Sequence, residues 1–275
     1  MKKENTIALV IGGASGIGKA TVNKLLRDNY KVIASDSNKE KLESLKNETP
    51  DQLQNRLSIF HLDIADSNKV KEKISWLEKK FSCIDFAVIS AGIHSTCPVE
   101  FLVDNDINEL INVNLIAHIR LVRDLLKIIK EGGRIVGISS IAAGLGVPMS
   151  SLYSASKAGL EGFYESLSNE VSYRNVKVIL VHPGNVNTGF NETGNLYQAT
   201  GNQYVDIRYS RVVSKINSRH GIHPDIVADT IVKALTKKSP RFCYIVGMNA
   251  KKAYWAKRLL GRSIALKLMA KYFGF

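Results

Sequence analysis

The 275-residue chain has little of what marks several large classes of protein. Its three cysteines, Cys83, Cys97 and Cys243, are odd in number and far apart, so they predict neither a disulfide framework nor a metal cluster. No apolar run approaches the ~20 residues that span a bilayer, and the first residues lack the pattern of a signal peptide. We therefore expect a protein of the reduced cytoplasm, without a metal site and without a transmembrane helix.

Positive charge is in excess, and the excess is concentrated at one end of the chain. The formal net charge is +13, and residues 251–275 carry seven basic side chains and no acidic one. Between these cations, apolar residues recur at helical spacing: Trp255, Leu259, Leu260, Ile264, Leu268 and Met269. The pattern predicts a basic amphipathic helix over 249–275, which can lie peripherally on the inner face of an anionic membrane or pack against protein. No nucleic-acid-binding module accompanies the charge, so we expect no nucleic acid as a partner.

Residues 1–248 alternate between short β-branched runs and longer segments with helical periodicity. The predicted strands are Ile7–Ile11, Lys31–Ser35, Leu57–Leu62, Phe86–Ser90, Arg134–Ser139, Val176–Val181 and Cys243–Val246. The predicted helices lie near 17–28, 39–47, 67–81, 106–130, 154–173 and 224–236, and Gly132-Gly133 marks the end of the fourth. This order predicts an α/β fold: a doubly wound parallel sheet of about seven strands with helices on both faces.

A glycine-rich turn follows the first predicted strand and opens the first predicted helix. It contains Gly12, Ser15, Gly16, Ile17 and Gly18. Glycines let the backbone turn tightly and approach a pyrophosphate, whose charge is favoured at the N-terminus of a helix. Asp36 ends the second strand, where a carboxylate accepts hydrogen bonds from a ribose diol and repels a 2′-phosphate, although it could also cap a helix. The sequence therefore predicts a dinucleotide site that prefers NAD, with NADP left open because Lys39 and Lys41 lie close by.

Tyr153 and Lys157 share one face of a predicted helix because they are four residues apart. An ammonium beside a phenol lowers the phenol's pKa from its usual value near ~10, which would let the tyrosine act as a base. Ser140, after the fifth predicted strand, offers a hydroxyl that can hold a reacting oxygen. The alternative is a buried tyrosine and a solvated lysine on an ordinary helix, and the pair alone does not decide between the two.

Taken together, these motifs resemble the short-chain dehydrogenase/reductase family over about residues 5–250. The family's catalytic residues are matched by Asn114, Ser140, Tyr153 and Lys157. Its cofactor-contacting elements resemble Asp63 and Ile64 after the third strand, Ser90, Ala91 and Gly92 after the fourth, and Pro183, Gly184, Val186 and Thr188 after the sixth. Two positions depart from the family pattern, since Ile11 replaces a threonine and Ile89-Ser90 replaces a pair of asparagines.

The resemblance implies a single Rossmann-fold catalytic domain, 1–248, in which hydride passes between a nicotinamide cofactor and a secondary alcohol or ketone. Tyr153 would act as the acid/base, and Lys157 would lower the tyrosine pKa and bind the nicotinamide ribose. Ser140 would hydrogen-bond the reacting oxygen, and Asn114 would anchor a water that relays protons. The resemblance also implies a homodimer or homotetramer. Two alternatives stay open: an NADPH-dependent carbonyl or 3-oxoacyl reductase, and a non-catalytic, membrane-associated NAD-binding scaffold or sensor.

Residues 189–221 are irregular and occupy the position of that family's variable substrate lid. Apolar and aromatic residues are interspersed there with polar ones: Phe190, Leu196, Tyr197, Tyr204, Ile207 and Tyr209. Such a mixture suits a mobile cover over a small, partly apolar substrate, but a packed surface segment would have the same composition. His94 is a candidate for a substrate contact, and we expect His182 to pack beside the cofactor strand.

Overall fold

The computed structural model describes residues 3–190, 194, 197–199, 201–217 and 221–275. Its strands are β1 (Ile7–Ile11), β2 (Lys31–Asp36), β3 (Leu57–His61), β4 (Ile84–Ile89), β5 (Ile129–Ile138), β6 (Lys177–Pro183) and β7 (Cys243–Val246). They form one parallel sheet in the order β3-β2-β1-β4-β5-β6-β7. The strand order reverses direction between β1 and β4, which confirms the predicted doubly wound fold and places a ligand crevice at that point.

Helices connect the strands and cover both faces of the sheet. Those before β5 are α1 (Gly16–Arg27), α2 (Lys39–Glu48), α3 (Asp51–Gln54), α4 (Ser67–Phe81), α5 (Asp104–Ile111) and α6 (Ala117–Leu125). Those after β5 are α7 (Ile141–Gly144), α8 (Ser151–Glu170), α9 (Gln203–Ile216), α10 (Pro224–Thr236), α11 (Met248–Leu260) and α12 (Arg262–Phe273). No helix in the described part of the chain is both long and apolar enough to cross a membrane.

The core consists of two apolar layers, one on each face of the sheet. Successive side chains of a strand point to opposite faces, so Leu9 and Ile11 of β1 enter one layer while Ala8 and Val10 enter the other. The first layer is filled from α4, α6 and α8, and the second from α1 and α10. Because both faces of the sheet are buried, the chemistry is left to the strand ends.

The structure corrects the predicted helix over 106–130. That segment forms α5, a π-helical turn over Asn112–Ile116, and α6, which ends at Leu125. The Gly132-Gly133 pair does not stop a helix but lies inside β5, where the pairing with β4 shifts its register. Gly132 has a φ of +72°, and a Cβ on Gly133 would lie 2.7 Å from the Lys130 carbonyl oxygen, so the two glycines form a bulge.

The C-terminal residues also differ from the prediction, because 249–275 is two helices rather than one. Gly261, with a φ of +79°, ends α11 and precedes α12, and the two helices lie against each other. We call α11 and α12 the C-terminal helix pair. Within the predicted lid, 189–221, the structure describes α9, whereas residues 191–193, 195, 196 (a predicted lid leucine), 200 and 218–220 lie outside the described residues.

Candidate active site

The carboxyl ends of the strands open into a cavity of about 1730 Å³. Every predicted site residue lines this cavity except Gly18 and Asn114, which lie behind its wall. The structure therefore brings together residues that are up to 176 positions apart in the chain, from Gly12 to Thr188. Among the described residues, no group of His, Cys, Asp and Glu is placed to hold a metal ion.

The glycine-rich turn fits a pyrophosphate because side chains are sterically excluded from it. A Cβ on Gly12, whose φ is +74°, would lie 2.6 Å from the Ala91 nitrogen, and a Cβ on Gly18 would lie 1.8 Å from the Gly12 carbonyl oxygen. Ser15 is the N-cap of α1 but its side chain makes no capping hydrogen bond. Its hydroxyl and the N–H groups of the first helical turn are therefore available to an anion in the cavity.

Asp36 connects the glycine-rich turn to the end of β2. Its Oδ2 accepts a hydrogen bond from the Ala14 N–H at 3.1 Å, and its Oδ1 accepts one from the Asn38 N–H at 3.0 Å. The N-cap of α2 is Asn38, whose Oδ1 accepts from the Lys41 N–H at 2.8 Å, so Asp36 does not cap that helix. Each carboxylate oxygen of Asp36 keeps a further lone pair for a ligand at the cavity wall.

The remaining predicted cofactor residues surround the same end of the cavity. Asp63 is exposed, with its Oδ1 accepting from the Ala65 N–H at 2.9 Å, while Ile64 beside it is buried. Gly184 donates from its N–H to the Val246 carbonyl oxygen at 2.9 Å. The segment from Pro183 to Thr188 then closes on the glycine-rich turn, because a Cβ on Gly16 would lie 3.2 Å from the Thr188 Cγ2.

Asn114 lies in the π-helical turn, a feature that often marks functional sites. Its amide holds the backbone of Ile93: the Ile93 N–H donates to Asn114 Oδ1 at 2.8 Å, and Asn114 Nδ2 donates to the Ile93 carbonyl oxygen at 2.8 Å. Nδ2 also lies 3.2 Å from Ser156 Oγ on α8. A Cβ on Gly92 would lie 3.1 Å from Asn114 Oδ1 and 3.5 Å from Lys157 Nζ, so the amide and the ammonium meet behind Gly92.

Tyr153 and Lys157 are both buried on α8, and burial sets their charges. It raises the pKa of Tyr153 to about 12, only partly offset by a side-chain hydrogen bond with Ser140, and it lowers the pKa of Lys157 to about 8. The Lys157 Nζ donates to the Ile138 carbonyl oxygen at 3.0 Å and lies 5.7 Å from the Tyr153 ring centroid. The structure thus differs from the predicted lowering of the tyrosine pKa, because the loss of solvent outweighs the Ser140 hydrogen bond. At neutral pH the phenol is protonated and the lysine is charged.

Three buried histidines surround this pair. The His94 ring lies 4.7 Å from the Tyr153 ring, and burial together with the Lys157 charge lowers the His94 pKa to about 4. His118 donates from Nε2 to the Ala91 carbonyl oxygen at 2.8 Å, and the same causes lower its pKa to about 3. His182 packs within β6, as predicted, with Nδ1 3.2 Å from the Ser140 carbonyl oxygen. His118 was not predicted from the sequence, although its position four residues after Asn114 indicates that the two share a helix face.

The cavity is covered by α9, which lies within the predicted lid, and by the C-terminal helix pair, whose position was not predicted. Ser214 and Lys215 of α9 line it, as do Ala253, Ala256, Ala265, Leu268, Met269, Tyr272 and Phe273 of the C-terminal helix pair. Residues 249–275 therefore pack against the domain, which is one of the two predicted alternatives, and they cover the cavity. We call α9 and the C-terminal helix pair the roof of the cavity.

Comparison with known proteins agrees with this architecture. A family model described as short chain dehydrogenase matches residues 6–198. A 3-ketodihydrosphingosine reductase of Bacteroides thetaiotaomicron is 28% identical over 247 residues, 88% of this chain and 87% of that protein. A 3-oxoacyl-(acyl-carrier-protein) reductase of Thermotoga maritima is 33% identical over 70% of this chain and 78% of that protein.

A solved structure shows the same fold over nearly the whole length. A short-chain dehydrogenase from Streptomyces avermitilis superposes with a TM-score of 0.83 at 26% identity, covering 96% of this chain and 95% of that one. The family match, these relatives and the glycine-lined crevice agree, and the predicted family is confirmed. The chain belongs to the short-chain dehydrogenase/reductase family and is an NAD(P)-dependent oxidoreductase that acts on CH–OH or keto groups.

Proposed function

We propose that this chain reduces a ketone to a secondary alcohol, and catalyses the reverse oxidation, with Tyr153 as the acid/base and NAD as the preferred cofactor. The observation that carries the proposal is the buried, protonated phenol of Tyr153, hydrogen-bonded to Ser140 and 5.7 Å from the Lys157 ammonium. A bound nicotinamide supplies or accepts the hydride. The alkoxide that develops during reduction is more basic than a phenolate, so a proton held by Tyr153 moves to it downhill.

The neighbouring side chains support that proton transfer. Ser140 donates a hydrogen bond to the reacting oxygen, where negative charge develops. Lys157 stabilises the phenolate left on Tyr153, since an ammonium that is shielded from water acts strongly on a nearby charge. Asn114 keeps the Ile93 backbone in place, and it would anchor a water that returns a proton to the site through Lys157.

The residues present fit a dinucleotide. Gly12, Ser15, Gly16, Ile17 and the supporting Gly18 would hold the pyrophosphate, and Asp36 the adenosine ribose. Asp63, Ile64 and the segment Ser90–Gly92 would contact the adenine side, and residues 183–188 the nicotinamide. The negative charge of Asp36 is the reason for preferring NAD, because it repels a 2′-phosphate.

A second candidate is an NADPH-dependent carbonyl or 3-oxoacyl reductase. The relatives named above are reductases of keto groups, and a carbonyl reductase family member 4 of Xenopus laevis is 34% identical over 66% of this chain. Those names favour a keto substrate, whereas Asp36 favours NAD, so the two candidates differ in the cofactor rather than in the chemistry. A non-catalytic sensor would need the dinucleotide contacts but not the buried acid/base group.

A panel of ketones and secondary alcohols, each with NADH, NADPH, NAD⁺ and NADP⁺, tests the proposal through the absorbance of the reduced nicotinamide. We expect turnover of ketones with NADH at neutral pH and a lower kcat/KM with NADPH. A higher kcat/KM with NADPH would select the second candidate. Binding of the dinucleotide without turnover of any compound would select the sensor. We also propose that the protein is cytoplasmic and forms a homodimer or homotetramer. Sedimentation equilibrium would measure the oligomeric state.

A further inference from the structure

The C-terminal helix pair has two apolar faces, although packing on the domain requires only one. On the inner face, Ala250, Ala265 and Phe273 are buried, and Met269 lines the cavity. On the outer face, large apolar side chains are exposed: Trp255, Leu259, Leu260, Ile264, Leu268 and Tyr272. Within α12 the inner side chains recur at positions 265, 269 and 273 and the outer ones at 264, 268 and 272, so the two stripes lie side by side.

Positive charge surrounds the outer face. Six of the seven cations in 251–275 are exposed: Lys251, Lys252, Arg258, Arg262, Lys267 and Lys271. Lys257 is half-buried near Glu161, where burial raises the pKa of Glu161 and the Lys257 charge only partly offsets that rise. Among the described residues, no salt bridge joins any of the six to a carboxylate. The face thus combines apolar side chains with uncompensated cations, the chemistry that binds an anionic lipid surface.

The outer face is continuous with the cavity. Leu268 and Tyr272 are half-exposed and also line the cavity, so they stand at its mouth. Lys215 of α9 lies 4.3 Å from the Tyr272 ring centroid, which joins the mouth to the predicted lid. The cavity is also larger than the ~300–1,000 Å³ of an ordinary ligand pocket, which leaves space beside a dinucleotide.

We propose that the outer face of the C-terminal helix pair docks on an anionic lipid bilayer, and that the substrate is a long-chain keto or hydroxy amphiphile that passes from the bilayer between Leu268 and Tyr272 to Tyr153. The substrate class rests on the proposed function; the docking surface does not. A second copy of this chain is a poorer occupant, because a twofold contact would place the same six cations against each other.

Vesicle co-sedimentation of the full chain tests the docking, with Leu259→Asp as the variant and Tyr173→Asp as its control. Both side chains are exposed, at 76% and 81%, but Tyr173 follows α8 at the amino ends of the strands, away from the cavity. We expect binding to vesicles of equal parts phosphatidylglycerol and phosphatidylcholine and not to phosphatidylcholine alone. Leu259→Asp should lower the bound fraction about tenfold, and Tyr173→Asp should leave it unchanged. Absence of binding, or equal effects of the two variants, would overturn the docking.

Turnover by the same three proteins tests the substrate class. We expect a long-chain 3-keto amphiphile in the anionic vesicles to be reduced with at least tenfold higher kcat/KM than a short water-soluble 3-keto ester. Leu259→Asp should remove that advantage without changing the rate on the short ester. Equal rates on the two ketones would overturn the substrate class alone, and no turnover of either would overturn the proposed function while leaving the docking intact. If Leu259→Asp instead changes the oligomeric state and not the vesicle binding, the outer face is an interface with a second copy of this chain, and the docking proposal is overturned.

Discussion

The floor and the roof of the cavity are held in place in different ways. The floor is the carboxyl edge of the sheet, where the backbone of one element fixes that of the next: the Ser90 N–H donates to the Ile11 carbonyl oxygen at 2.8 Å, and Gly13 donates to Ser35 at 2.8 Å. The roof is held by side chains, such as Lys215 against the ring of Tyr272. Proton transfer is sensitive to small displacements of the reacting groups, whereas contact with an apolar chain tolerates them. Chemistry therefore rests on the backbone-fixed floor, and substrate selection rests on the roof, which is held by side chains.

The largest effect we expect is in the floor, from Tyr153→Phe. Loss of the phenol proton should lower kcat by about 10³-fold, within the range for removing a general acid, with the dinucleotide Kd nearly unchanged. The control is Tyr164→Phe on the same helix, since the Tyr164 hydroxyl is buried with no hydrogen-bond partner among the described residues. That variant should keep kcat and hold or raise Tm. Steady-state kinetics and thermal melts measure both, and activity retained by Tyr153→Phe would exclude Tyr153 as the acid.

The next effect tests whether the floor depends on backbone contact. In Gly18→Ala the new Cβ would lie 1.8 Å from the Gly12 carbonyl oxygen, so the turn must move. We expect the Kd for the dinucleotide to rise about 100-fold or more and Tm to fall. The matched control is Gly162→Ala on α8, where no atom lies within 4 Å of the new Cβ. It should stabilise the protein by about 0.5–1 kcal/mol, because alanine favours a helix. Equal Kd values for both variants would contradict this.

The floor was predictable from sequence because its signals are local. Alternating short apolar runs gave the strands, and the spacing of Gly12, Gly16 and Gly18 gave the turn. Ile11 stands where the family has a threonine. Its backbone carbonyl oxygen accepts a hydrogen bond from the Ser90 N–H, so this contact needs no side-chain hydroxyl. Even here, the sign of the Tyr153 pKa shift was wrong, because burial is a property of the folded protein and not of the spacing between Tyr153 and Lys157.

The C-terminal helix pair could not be placed from sequence, whereas α9 lies within the predicted lid. The pattern in 249–275 predicts amphipathic helix correctly, but what the helix covers depends on contacts with α7 and α9, which are distant along the chain. The break at Gly261 had a local signal, a glycine within a helical pattern, that was not used. Gly132-Gly133 was predicted to stop a helix, and only the register of β4 against β5 shows that the pair forms a bulge instead.

Acid should affect the stability of the floor more than that of the C-terminal helix pair. His94 and His118 have pKa values lowered to about 4 and about 3, so below pH 6.5 the unfolded chain binds protons that the folded protein does not. Stability is therefore lost as pH falls from 6.5 towards 4, by up to about 1.4 kcal/mol per pH unit for each histidine. Residues 248–275 contain no His, Asp or Glu to add to this slope.

Urea unfolding between pH 7 and 4 measures that slope, with His118→Gln as the variant. Glutamine keeps a donor for the Ala91 carbonyl oxygen but does not titrate. We expect a similar free energy of unfolding at pH 7. Below pH 6.5 that free energy should fall less steeply with pH, because about one proton fewer is taken up on unfolding. An unchanged slope would show that His118 is protonated in the folded protein.

The smallest effect tests how the roof is attached. In Lys215→Met the cation that lies 4.3 Å from the Tyr272 ring centroid is lost, an interaction worth about 0.5–1 kcal/mol. KM for an apolar ketone should rise about 2- to 5-fold with kcat unchanged, because α12 is held less firmly while the floor is intact. Lys80→Met is the control, since Lys80 lies 4.8 Å from the Trp76 ring on α4, outside the cavity lining, and should leave KM unchanged. A fall in kcat for Lys215→Met would mean that the roof also positions the reacting groups, and the separation between floor and roof would fail.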